Sequence, residues 1–154
     1  MDTDILQIIQ QLHSLCLAYI EQRNATAQEA LDMVTGSANE ETKSSAGDKY
    51  ETTREMIQQE IEKHSAAIAE AVKQKQLLQQ ISTGKRHEKI QTGSLVITDK
   101  NNFYIAISAG ALLVEGKKYL AVSPSSPIAI QMIDKHTGDT FSFNNTTHVV
   151  KEVF

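Results

Sequence analysis

The sequence predicts an α+β chain in two parts: an antiparallel coiled-coil helical hairpin over residues 1–81, then a small α+β domain over 89–154. Three observations carry this reading. Apolar residues recur at three and four positions up to Ile81, the spacing of a helical seam. Composition changes at Ser82: the preceding stretch is rich in Gln, Glu and Ala and holds only Gly36 and Gly47, whereas both prolines and five glycines follow. Beyond that point apolar residues come in short runs separated by Gly and Asn signals, which is strand patterning. Charge divides at the same place, with 13 acids and 7 bases over 1–81 against 6 acids and 8 bases over 82–154. Residues 82–88, Ser82-Thr83-Gly84-Lys85-Arg86-His87-Glu88, read as a polar linker.

The first helix has its seam at Ile5, Ile8, Leu12, Leu15, Tyr19, Thr26, Ala30 and Met33. Ile9, Cys16, Ile20 and Leu31 widen the stripe and offer support at the base of the hairpin. Gly36 stands where a helix stop belongs. The second helix shows Ile57, Ile61, His64, Ile68, Val72, Lys75 and Leu78 and ends near Ile81. At 1.5 Å per residue, helices of about 30 residues are roughly 45 Å long.

The polar tip near 37–50 carries Glu40, Glu41 and Asp48. Two readings stand side by side. Ser37-x-x-Glu40, Ser45-x-x-Asp48 and Thr52-x-x-Glu55 match capping boxes, and acids favour helix N-termini. Carboxylates at the end of a rod also suit delivery of a hard cation.

In the second part, strands are expected at 94–98, 103–107, 112–114, 118–122, 140–143 and 147–153. The connecting signals are Asp99-Lys100-Asn101-Asn102, Glu115-Gly116, Gly138-Asp139 and Asn144-Asn145. One helix interrupts them, with Ser126 as N-cap, Pro127 at the first helical position and an apolar face of Ile128, Met132 and Ile133.

Several function classes are excluded or disfavoured. A net charge of −4 gives no bulk field for nucleic acid. Cys16 is the only cysteine, so there is no disulfide framework or cysteine zinc site. It reads as a small buried hydrophobe despite His13 three residues before it. His13, His64, His87, His136 and His148 show no zinc spacing. Gly93, Gly110 and Gly116 read as turns, not as a phosphate cradle. Lys85, Arg86 and Lys89 form a small basic patch, read either as a solvated hinge or as a contact for a partner or an RNA phosphate. No apolar run reaches the ~18 residues of a membrane helix, and a reducing cytoplasm is the expected compartment.

The run from Ser126 to Asp139 resembles the C-terminal signature of Gre-type transcript cleavage factors, S-P-[IL]-[AG]-x-A-L-[IL]-G-K-x-x-G-D. Ser126, Pro127, Ile128, Ala129, Ile133, Lys135, Gly138 and Asp139 agree without a gap; Gln131, Met132 and Asp134 depart. Tyr50-x-x-x-Arg54-Glu55 is similar to the family's E-Y-x-x-A-[RK]-E, with Lys49 in place of the Glu before Tyr. The order of parts, a helical hairpin, a linker and an FKBP-like domain, also agrees.

That resemblance implies a divergent regulator of transcription elongation, binding bacterial RNA polymerase through its secondary channel. It implies docking through Ser126, Pro127, Ile128, Lys135, Gly138, Asp139 and Arg54, with RNA met only inside the polymerase complex. It also implies Mg²⁺ shared between polymerase and tip acids, here Glu40, Glu41 and Asp48. Two metals side by side activate a water and steady the leaving oxygen in phosphodiester cleavage. The chain itself would be no enzyme. The family's tip pattern, G-D-x-x-E-N-[AS]-E-Y, puts Lys43 and Ala46 where acids belong, so stimulated cleavage and channel occlusion both stay open. The alternatives are a coiled-coil interaction or chaperone-like protein unrelated to polymerase, and an FKBP-type prolyl isomerase. Without Trp and with few aromatics, the chain lacks the usual isomerase pocket.

Overall fold

The computed structural model describes residues 3–41 and 47–154, with side chains for 3–36 and 51–154. It is an α+β chain: two long N-terminal helices followed by a six-stranded mixed sheet and one short helix. The elements are α1 (Thr3–Glu41), α2 (Gly47–Gln80), β1 (Leu95–Thr98), β2 (Asn102–Ile105), β3 (Gly110–Val114), β4 (Lys117–Val122), α3 (Pro127–Met132), β5 (Thr140–Phe143) and β6 (Thr146–Val153). The chain forms two compact units. One comprises residues 1–19 together with 76–154, and the other comprises 20–75.

The unit of residues 20–75 is built from the two long helices. α1 spans 39 residues, about 58 Å at 1.5 Å per residue, and runs through Gly36 instead of stopping there. A single glycine costs a helix only about 1 kcal/mol relative to alanine, too little to end it. The packed stripe on this part of α1 is Ile20, Asn24, Ala27, Leu31 and Val34, at spacings of four and three. It lies one position after the expected seam of Tyr19, Thr26, Ala30 and Met33, and Met33 is 73% exposed. The reason is visible in the sequence. Apolar residues come as neighbours, Tyr19-Ile20 and Met33-Val34, so period alone fits either register. On α2 the half-buried positions Thr53, Ile57, Ile61, His64 and Ile68 lead to buried Ala71. Val72, expected in the seam, is 47% exposed. Lys75 Nζ stands 3.8 Å from Glu21 Oε1, and His64 Nε2 lies 3.2 Å from Glu60 Oε2.

In the other unit the strand order is β3-β4-β2-β1-β6-β5. β2 and β4 pair in parallel, and every other neighbouring pair is antiparallel. Two-residue turns close the β3–β4 and β5–β6 hairpins. Glu115 and Gly116 have φ of 52° and 77°, Asn144 and Asn145 of 51° and 61°. Both central residues left-handed is the mirror turn whose twist matches paired strands.

One sheet face carries the core with α3: Ile90, Val96, Phe103, Ile105, Ala129, Met132, Phe141, Val150 and Val153. Val150 and Val153 are three residues apart, yet both join it. The ladder shifts between Ile97↔Glu152 and Thr98↔Val150, leaving Lys151 as an extra residue that restores the inward face.

The opposite face belongs to Tyr104, which alternates with Phe103 and Ile105 along β2. The start of α1 meets it there, with His13 Nδ1 3.3 Å from the Tyr104 hydroxyl. Ile9, Leu12 and Cys16 are buried on α1 in the same unit. Burying an aliphatic side chain of this size is worth about 1.5–3 kcal/mol. Leu15, expected in the seam, is 38% exposed, for the same neighbouring-residue reason.

Candidate functional site

The Ser126–Asp139 segment folds as a cap, a short helix and a tight return. Ser126 has extended backbone, and its Oγ accepts from Ala129 N at 3.4 Å while donating to Ser123 O at 2.7 Å. Pro127, at the first helical position, needs no backbone donor there. Ala129 and Met132 are buried, while Ile128 and Ile133 pack partly against the same core. The helix ends at Met132, with Ile133 as its C-cap, and Asp134 then turns left-handed with φ of 69°.

The return is held from both sides. Ile90 N donates to Lys135 O at 2.9 Å, and Asp134 N to Ile90 O at 2.8 Å. Gly138, with φ of 94°, donates to Val150 O at 2.8 Å. Asp139 Oδ2 accepts from His136 N at 2.7 Å, and its backbone oxygen accepts from Val150 N at 2.8 Å. Ser126, Gly138 and Asp139 are therefore accounted for by local hydrogen bonding. Pro127, Ile130, Asp134 and Asp139 present exposed surface along the segment.

Ser126, Pro127, Ile128, Lys135, Gly138 and Asp139 are thus gathered within one segment. Arg54 is exposed on α2 in the other unit. Glu40, Glu41 and Asp48 lie outside the described side chains. Among the described residues no group of three or more His, Cys, Asp or Glu could hold a metal ion. No helix there is long and apolar enough to cross a membrane. Of the basic patch, Arg86 sets its guanidinium 5.1 Å from the centre of the Phe154 ring, and His87 Nδ1 lies 3.1 Å from Phe154 O. Lys89 Nζ lies 3.9 Å from Asp134 Oδ1.

Two polar groups that the sequence reading did not single out emerge from the sheet. Tyr104 is fully buried, and burial raises its hydroxyl pKa, with Cys16 adding a smaller push in the same direction. Burial drives the Cys16 thiol up to about 12, so it stays protonated and poorly nucleophilic. Burial lowers the His13 pKa.

His148 sits between aromatic rings. It stacks on Phe141 with centroids 4.7 Å apart and meets Phe103 edge-on at 6.4 Å. Its Nδ1 is buried without a hydrogen-bond partner. Nearby, Asp99 Oδ1 accepts from Val149 N at 2.8 Å, and Lys100 Nζ donates to both Asp99 Oδ2 and Thr147 O. Burial and then the Lys100 charge lower the His148 pKa, against a smaller opposing effect of Asp99. Strand alternation back from Val150 was the signal that could have placed His148 inside.

Comparison with protein-family models, with curated proteins and with solved structures finds no match.

Proposed function

We propose that this chain is a Gre-like regulator of transcription elongation that binds bacterial RNA polymerase through its secondary channel. The observation that carries the reading is a unit of two long helices on the same chain as the Ser126–Asp139 segment. Within that unit α1 contributes residues 20–41 and α2 residues 47–75, about 33 and 44 Å. Two packed helices are about 20 Å across with side chains, which suits a narrow channel. The stripe Ile20, Asn24, Ala27, Leu31 and Val34 supports an antiparallel coiled coil, as does its counterpart on α2. The short helix α3 packed on a six-stranded mixed sheet supports an FKBP-like domain.

In this reading the chain holds no active site of its own. Polymerase supplies the catalytic carboxylates, and the tip residues Glu40, Glu41 and Asp48 approach its Mg²⁺. The exposed residues of the α3 segment face polymerase, and Arg54 contributes from α2. RNA is met only at its 3′ end inside the complex.

The test is binding of the full chain to purified bacterial polymerase, followed by incubation with a stalled, backtracked complex and Mg²⁺. Binding at micromolar protein is expected. RNA shortening would identify a cleavage factor, and binding without it an occluding regulator. Absence of binding at that concentration overturns the proposal.

A further inference from the structure

The sheet has two edges, and they differ in how they are protected. β5 is four residues long and turns Thr140 and Ser142 outward. β3 reads Gly110-Ala111-Leu112-Leu113-Val114, without charge or proline, and Leu113 is 70% exposed. Edge strands of stable monomers usually carry a lysine, a proline or a bulge against pairing. β3 has none of these.

We propose that β3 pairs antiparallel with β3 of a second copy of this chain, joining two six-stranded sheets edge to edge. The register follows from the hairpin. The two-residue Glu115-Gly116 turn makes Val114↔Lys117 a hydrogen-bonded pair, so Leu112 and Gly110 also bond toward β4. The backbone groups of Ala111 and Leu113 therefore point outward. A two-fold axis through Leu112 sets Ala111 opposite Leu113 of the partner copy, and the reverse, giving four intermolecular hydrogen bonds. It uses every outward group of the strand's central three residues.

Side chains agree with this register. Ala111 and Leu113 are both exposed and share one face. The pairing places a large residue beside a small one at both symmetric positions. The groove beside Leu113 is lined by Gln7, Gln10, Gln11, Ser14 and Leu15, none charged. The nearest cation on that face, Lys118 opposite Leu113, stands at least three strand spacings from its symmetry mate. That is about 14 Å, beyond the ~8 Å screening length at physiological salt. A second copy therefore meets no like charge along the seam.

A seam of two short strands is small, so association is expected in the high micromolar range. Sedimentation equilibrium of the full chain over a concentration series tests it. The expected result is a mass rising from 17.0 kDa toward twice that value. Leu113→Lys is expected to hold the mass at the monomer value with an unchanged circular dichroism spectrum. Amide exchange is expected to slow at Ala111 and Leu113 as concentration rises. A mass that stays at 17.0 kDa throughout overturns the proposal and leaves the edge to a strand of another protein. Association that survives Leu113→Lys, with both amides exchanging freely, overturns it in favour of another face. The outcome does not depend on polymerase binding.

Discussion

The His13 imidazole and the Tyr104 hydroxyl, 91 positions apart, meet at 3.3 Å on the sheet face opposite α3. Tyr104 is completely buried, and its hydroxyl finds a partner only because the start of α1 lies there. Tyr104→Phe keeps the ring and removes the bond. The expected loss is about 1 kcal/mol in urea unfolding, with the denaturant slope unchanged.

Asn24 occupies the packed stripe of α1 with its Oδ1 buried and without a hydrogen-bond partner. Such a group costs stability while it favours one helix register. Asn24→Leu is therefore expected to stabilise the chain by about 1 kcal/mol. The check is the unfolding midpoint, with helix content from circular dichroism.

His148 ties stability to pH. Its folded pKa lies below the ordinary 6.5, so the unfolded chain takes up the proton first. Stability is then fully present above 6.5, declines as pH falls below it, and levels off beneath the folded pKa. His13, also lowered, acts in the same direction. His148→Phe retains the stack on Phe141 and is expected to flatten this acid-side decline. Urea midpoints measured on both sides of the transition would show it.

Ser126 caps α3, whose Ala129 and Met132 belong to the core. Ser126→Ala is expected to cost about 1 kcal/mol, and Ser126→Asp to retain most of the cap. Measuring polymerase binding for both variants separates capping from contact. Loss in Ser126→Asp with stability preserved would assign the serine to the interface.

Gly93 has φ of 94°, and a Cβ there would stand 2.9 Å from Ile81 Cγ2. Gly93→Ala combines a disfavoured backbone with a clash, and is expected to cost more than about 1 kcal/mol. Thermal unfolding would register the shift.

Local signals in the sequence specified most of the sheet domain. Ser126-Pro127 set the start of α3, and Glu115-Gly116 and Asn144-Asn145 marked turns whose left-handed residues the structure contains. The strand at 140–143 lies where alternation put it. The helical stripe was less legible. Tyr19-Ile20 and Met33-Val34 offer two apolar faces, and only packing against a partner surface chooses between them. The bulge at Lys151 and the Tyr104–His13 bond were invisible for a related reason: each depends on residues far away along the chain. The acids Glu40, Glu41 and Asp48 gave a chemical motif whose geometry falls outside the described side chains.

Leu95 and Phe154 exchange two backbone hydrogen bonds, N to O at 3.1 and 2.9 Å. The central strand β1 thus gains its second neighbour only from β6, which follows it by about fifty residues. On the ribosome, the α1 face bearing Ile9, Leu12 and Cys16 meets Tyr104 only after about ninety further residues have been added. Synthesis at about 5–20 residues per second makes that interval many seconds. During it the nascent chain presents a greasy helix, with a thiol on it, to holdases and oxidants before its native cover exists.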